Sequence, residues 1–186
     1  MTKVRIQDIS IIQFGHYAQA SLKGTIPYLQ ARNFNEFGNY IGFTDTFLES
    51  NAKNNENLLE DGDVLFVSKG FRFFASAYKK EMGPAIASSI FFILKPQKEK
   101  IIPEYLVAVL NSPKSILHFQ QTGAGSSIPS IRKNELADFT ITLLPIEKQL
   151  QIVKLQELYI NDRILSENLI KQKHILYQTI LSKIIK

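Results

Sequence analysis

From Ile146 to Lys186 the chain contains neither proline nor glycine; Pro145 and Gly125 are the last of each. Glycine costs a helix interior about 1 kcal/mol and proline about 3. A stretch of 41 residues free of both predicts one unbroken helix roughly 60 Å long at 1.5 Å per residue. A compact domain of this size needs no element so long. The helix over 145–186 is therefore expected to reach for a partner, with residues 1–144 as the head it carries.

The apolar spacing of this tail supports association. Leu155, Leu158, Leu165, Leu169 and Leu176 fall on a 3-4 heptad stripe, with Asp162 and Gln172 as polar intruders. Val153, Ile164 and Ile175 recur at eleven, as do Leu158, Leu169 and Ile180. Seven- and eleven-residue repeats both direct helices to pack side by side. The apolar surface is wider than one seam, so the helix is expected to touch its own head at its start and another helix further out. A polar residue inside the seam, such as Asp162, favours one register.

The head reads as mixed α+β with several short strands. Strands are predicted within 3–14, 25–32, 41–43, 64–67, 71–77, 85–94 and 139–144. A helix is predicted over 103–110 with Pro103 in its first turn, and a second over 114–121. Glu60-Asp61-Gly62-Asp63 is a tight turn with Gly62 free to take positive φ. Asn134-Glu135-Leu136 is a further turn.

With 45% hydrophobic residues the chain can bury a core. It has no cysteine, which excludes disulfides and zinc-thiolate sites and suits a reducing compartment. No apolar run approaches the roughly 18–20 residues that span a bilayer, and the start lacks a signal peptide's apolar core. A cytoplasmic protein without membrane contact is expected. Catalysis leaves little trace. His16, His118 and His174 have no partner at metal spacing. Gly123 to Ser127 lacks the lysine that a phosphate loop places after its last glycine. No enzyme activity, metal or cofactor is expected.

Charge is distributed unevenly. Residues 36–63 hold seven acids and one base, whereas 64–133 hold ten bases and three acids. A basic middle beside an acidic strip suits a protein that presents one face to a polyanion. Arg32, Asn33, Lys69, Arg72, Lys79, Lys80, Ser126, Ser127, Arg132 and Lys133 all fall at strand ends or turns, and these side-chain types reach phosphates and base edges. Tyr40, Phe71, Phe73, Phe74 and Tyr78 interleave with some of them; the phenylalanines are expected in the core.

Four stretches, in order, resemble the DNA-specificity subunits of type I restriction–modification systems. Ile26-Pro27-Tyr28-Leu29 is similar to that family's early strand. Leu59-Glu60-Asp61-Gly62-Asp63-Val64-Leu65-Phe66 is similar to its turn with leucine, Gly-Asp and an aliphatic strand. Gly125 to Ile131 lies where the family carries a small-residue loop. Ala137 to Ile152, with Leu144-Pro145 and Glu147-Lys148-Gln149, resembles its final strand and the entry of its conserved helix. The resemblance implies a non-enzymatic subunit that reads double-stranded DNA and holds methyltransferase subunits and, through them, the restriction subunit. A usual member has two heads and two helices, and this sequence has one of each. It implies a homodimer with two helices paired antiparallel, dimerising through Leu155, Leu158, Leu165, Leu169 and Leu176 and reading a bipartite palindrome. The competing reading is a helix-mediated adaptor or silent specificity cassette with no DNA-reading role.

Overall fold

A computed structural model describes residues 2–35, 37–125 and 127–185. The head is organised around a four-stranded antiparallel sheet, in the order β2 (Ser10–Phe14), β8 (Phe91–Pro96), β5 (Val64–Val67) and β6 (Ala75–Ala77). Strand side chains alternate between faces, and both faces of this sheet are covered. Val64, Phe66, Phe92 and Leu94 point into one core with Leu106, Leu110 and Phe119. Leu65, Val67, Phe91 and Ile93 point into another with Leu29, Phe34 and Phe74. That double coverage is why Val64-Leu65-Phe66-Val67 is apolar throughout rather than alternating.

The first core is closed by α2 (Pro103–Leu110) and α3 (Pro113–Thr122), each opened by a proline where its missing N–H costs nothing. Asn111 ends α2, and its amide serves the edge of β6. Its Nδ2 donates to Ala75 O at 2.9 Å, and Ala75 N donates to its Oδ1 at 2.7 Å. The second core is flanked by β3 (Ile26–Leu29), which pairs antiparallel with β4 (Phe47–Leu48) and parallel with β7 (Ile86–Ala87). A short α1 (Ala52–Asn55) is capped by Asn51. Finally, β1 (Thr2–Arg5) pairs antiparallel with β9 (Thr140–Leu143).

Four expectations are corrected. Residues 41–43 form no strand: Gly42 sits at φ +74°, and Phe43 O is taken by Asn33 Nδ2. Only Ala75–Ala77 of 71–77 pairs, because Gly70 at φ +123° turns the chain out of β5. The 85–94 run is two strands: Phe91 N donates to Ser88 O and turns the chain between β7 and β8. The turn expected at 134–136 is a helix, α4 (Lys133–Asp138), whose Glu135 accepts from Arg132 N at 2.7 Å.

The tail is one helix, α5 (Ile146–Ile184), as the absence of breakers predicts. Gln149 fastens its first turn and is fully buried. Its Oε1 accepts from Ile102 N at 2.8 Å, while its Nε2 donates to Lys100 O at 2.9 Å and Leu144 O at 2.8 Å. Ile152 and Val153 then pack on the first core. Contact with the head continues well past the start. Arg163 lies 3.6 Å over the Phe37 ring and pairs with Glu167 at 2.6 Å. Beyond Glu167 every described residue of the helix is exposed except Leu181, which is half-buried. More of α5 lies along the head than the sequence suggested.

Candidate nucleic-acid interface

The site lies at the end of the central sheet where β5 and β2 finish and β8 begins. Four segments meet there. Gly15 N donates to Phe91 O at 2.9 Å and His16 N to Ala87 O at 2.8 Å. Ser68 N and Oγ both donate to Ile90 O at 2.8 Å. Gly70 N donates to Pro129 O at 2.9 Å, and Ile131 N to Ser68 O at 2.8 Å. Lys69 is thereby bridged to Ser130 across an extension of β5. The meeting is close enough to require glycine at position 15: a Cβ there would fall 2.0 Å from Ser88 O. Tyr28 holds the following loop, its hydroxyl donating to His16 O at 2.6 Å and accepting from Ala18 N at 3.3 Å; burial raises its pKa.

These bonds bring three predicted cations to one end. Lys69 and Arg132 are exposed, and Lys133 Nζ stands 5.5 Å over the Phe14 ring. Ser127 is exposed in the same segment, whereas Ser126 lies outside the described residues. No aspartate or glutamate occurs in 14–17, 68–71, 88–91 or 127–133, so nothing within these segments neutralises the cations. Apolar surface stands among them: Phe14 is 65% exposed, Tyr17 86% and Phe71 81%. Phe73 and Phe74 are buried as expected, and Tyr78 is buried too, but Phe71 is exposed. Phe14 and Tyr17 were missed in the sequence because the alternation of 10–14 marks the strand and not which end of it is open.

The other predicted residues already hold partners within the head or lie at the opposite end of the sheet. Asn33 is buried, with Oδ1 accepting from Gln30 N and Nδ2 donating to Phe43 O; its amide is spent inside the loop. Arg32 pairs with Asp45 at 2.8 Å. Arg72 is on the turn next to Phe71, but its Nη2 donates to Ala31 O and Phe34 O, both at 3.1 Å, and its guanidinium lies 4.7 Å over Phe74. It fastens one loop to another. Lys79 and Lys80 follow β6 at the opposite end of the sheet. There Lys79 Nζ lies 3.6 Å from Glu104, and Lys80 N donates to Asp61.

That opposite end is an ionic brace. Asp63 is buried and accepts from Glu60 N at 2.9 Å and from Lys95 Nζ at 3.3 Å; burial nevertheless pushes its carboxyl above the usual range. Gly62 takes φ +88° in the predicted turn. Among the described residues no three His, Cys, Asp or Glu side chains gather as a cation site. A cavity of about 580 Å³ between α5 and the head is lined by Phe37, Tyr40, Arg72, Tyr159 and Arg163 among others, and its described lining includes no Ser, Cys or His. Among the described residues no helix is long and apolar enough to cross a membrane.

A cationic and aromatic cluster on a sheet end, with a helical arm fastened to the head through Gln149, has the make-up of a binding module on an arm. The family model of the type I restriction modification DNA specificity domain matches residues 1–174, and the chain belongs to that family. Solved structures share the fold. A chain from work on complex assembly and conformational transition of the type I R-M system superposes with a TM-score of 0.66 at 20% identity, covering 98% of this chain and 49% of that one. The S subunit of a type I system from M. genitalium gives 0.58 at 17%, covering 89% and 42%. The HsdS subunit of Thermoanaerobacter tengcongensis gives 0.61 at 16%, covering 89% and 38%. The chain thus spans half or less of the length of these structures. Among curated proteins, none matches it.

Proposed function

We propose that this chain reads DNA as one recognition domain (1–144) on one helix (145–186), and that two copies pair through their helices to read a bipartite palindrome and hold methyltransferase subunits. The observation that carries this reading is the division of α5 into two faces. At 100° per residue, Gln149, Ile152, Val153, Gln156, Ile160 and Arg163 face the head, and the leucine stripe lies about 160° round the helix. All five leucines of that stripe are more than half exposed. A helix already packed along its own head has no internal use for a second apolar seam.

Charge favours the antiparallel sense. Within the seam, residues 155–167 carry Glu157, Asp162 and Glu167 against one base, Arg163, whereas residues 168–185 carry Lys171, Lys173 and Lys183 and no acid. Antiparallel pairing sets the basic half of one helix beside the acidic half of the other, and parallel pairing sets like beside like. Beyond the head, Ile170, Tyr177 and Ile184 widen the apolar surface to one side of the seam; this flank is the methyltransferase surface. At the far end of each head, Lys69, Arg132 and Lys133 take phosphates or base edges, with Phe14, Tyr17 and Phe71 against sugars or bases. The test is to purify the chain with the methyltransferase subunits of its own system and map the methylated sites. A split palindrome is expected. Methylation of an asymmetric site, or of none, overturns the reading.

A further inference from the structure

The seam of α5 carries two polar interruptions, and their positions specify more than an association. With Leu155 as the first core position, the stripe runs Leu155, Leu158, Asp162, Leu165, Leu169, Gln172, Leu176 and Thr179 in alternating steps of three and four. In an antiparallel pair each first-type core position of one helix meets a fourth-type position of the other. Only a few registers satisfy this, one heptad apart.

We infer that two copies of this chain pair with Asp162 of each helix against Gln172 of the other, the two-fold axis level with Glu167; this rests on the dimer proposed above. In that register every other layer is consistent. Leu165 meets Leu169, Leu158 meets Leu176, and Leu155 meets Thr179. The Thr179 hydroxyl already donates to Ile175 O of its own helix at 2.8 Å, so it asks nothing of the leucine opposite. The Gln172 amide donates to the Asp162 carboxylate, and Lys173 of the partner copy comes level with the same carboxylate within one residue. A shift of one heptad either way breaks this match. In one direction Asp162 meets Leu165 and Gln172 meets Leu155; in the other Gln172 meets Leu169 and Asp162 meets Thr179. Each alternative sets a seam amide against a leucine, where a buried polar group without a partner is costly. The polar pair therefore stabilises the dimer little and selects its alignment. It also holds the two heads at one separation, since the register fixes where each Gln149 anchor stands along the pair.

The chain has no cysteine of its own, so introduced thiols report alignment directly. The double variant Leu158→Cys/Leu176→Cys should oxidise completely to a covalent dimer, because these positions face each other in the inferred register within disulfide reach. Leu176→Cys alone should give none, its copies lying about 27 Å apart along the axis. Leu165→Cys/Leu176→Cys should cross-link only after Asp162→Leu removes the polar pair. Light scattering of the unmodified chain separates the two levels. A monomer at high concentration sinks the dimer itself. A dimer in which Leu176→Cys alone cross-links, or in which Leu165→Cys/Leu176→Cys links while Leu158→Cys/Leu176→Cys does not, overturns the register and leaves the dimer standing. All of these positions are exposed in the single chain, so head folding, followed by thermal melting, should not change.

Discussion

Replacing Gln149 tests how the helix is fastened to the head. The side chain is fully buried and satisfies one backbone N–H and two carbonyls from two stretches, 100–102 and Leu144. Gln149→Ala removes all three bonds at once. A net hydrogen bond contributes about 1 kcal/mol, and a buried group left without a partner costs about 1–3. Lys100 is exposed and Ile102 and Leu144 are half-buried, so water recovers part of the loss. About 3–4 kcal/mol is expected, a large share of a total of about 5–15. For a chain of this length that is roughly 6–16 °C in Tm. Gln149→Glu isolates the chemistry from the packing. Its shape is kept and one oxygen still accepts from Ile102 N, but the other faces the Lys100 and Leu144 carbonyl oxygens without a proton. The introduced carboxyl is held neutral by those oxygens, so its pKa is raised in the folded state. Stability relative to the parent should therefore recover as pH falls toward the unfolded value and be lost as pH rises. Urea unfolding of the three proteins at pH 7 and pH 5 measures this. If both variants stay within about 0.5 kcal/mol of the parent at pH 7, or if Gln149→Glu shows no recovery at pH 5, the clamp does not hold the helix.

Three further outcomes are expected. Lys69→Ala and Arg132→Ala should each weaken DNA binding, with a phosphate contact lowering affinity evenly across sequences and reducing the salt slope by about one; a base contact should cost roughly 1–3 kcal/mol at one base position, both read by titration at two salt concentrations. Asn33→Ala should leave salt dependence unchanged and lower Tm, since its amide is spent inside the loop. Asp63→Asn removes a carboxyl whose folded pKa is raised by burial; the parent should gain stability relative to the variant as pH falls through the carboxylate range, because the folded state there binds the extra proton, and thermal melts from pH 6 to pH 4 check the sign.

The helix was legible because the absence of proline and glycine is a one-dimensional property. So were the Gly62 turn, the buried strand after it, and the Leu-Pro-x-Glu-x-Gln entry, whose glutamine now has its physical reason. The candidate site was legible only in part. Lys69 and Arg132 are 63 positions apart in sequence, and only the bonds between 68–70 and 129–131 bring them together. Arg32, Arg72 and Lys79 carry the right chemistry but meet Asp45, backbone carbonyls and Glu104 instead. Residue type reports what a side chain can bind and not what it already holds. Phe71 shows the converse, an aromatic left in solvent by a glycine that turns the strand away.

The pairing of β1 with β9 has a consequence for how such a protein changes. Thr2 stands opposite Leu143, and α5 begins three residues later at Ile146. The chain therefore enters the head about one strand spacing, near 5 Å, from where it leaves for the arm. Everything between is a closed excursion. A different head whose ends form the same two-stranded ribbon would fit the same arm, provided it also offered Gln149 its backbone partners, and the proposed helical pair would be left unaltered. Under the proposed function, target choice and assembly would thus be separable by two cuts that lie side by side.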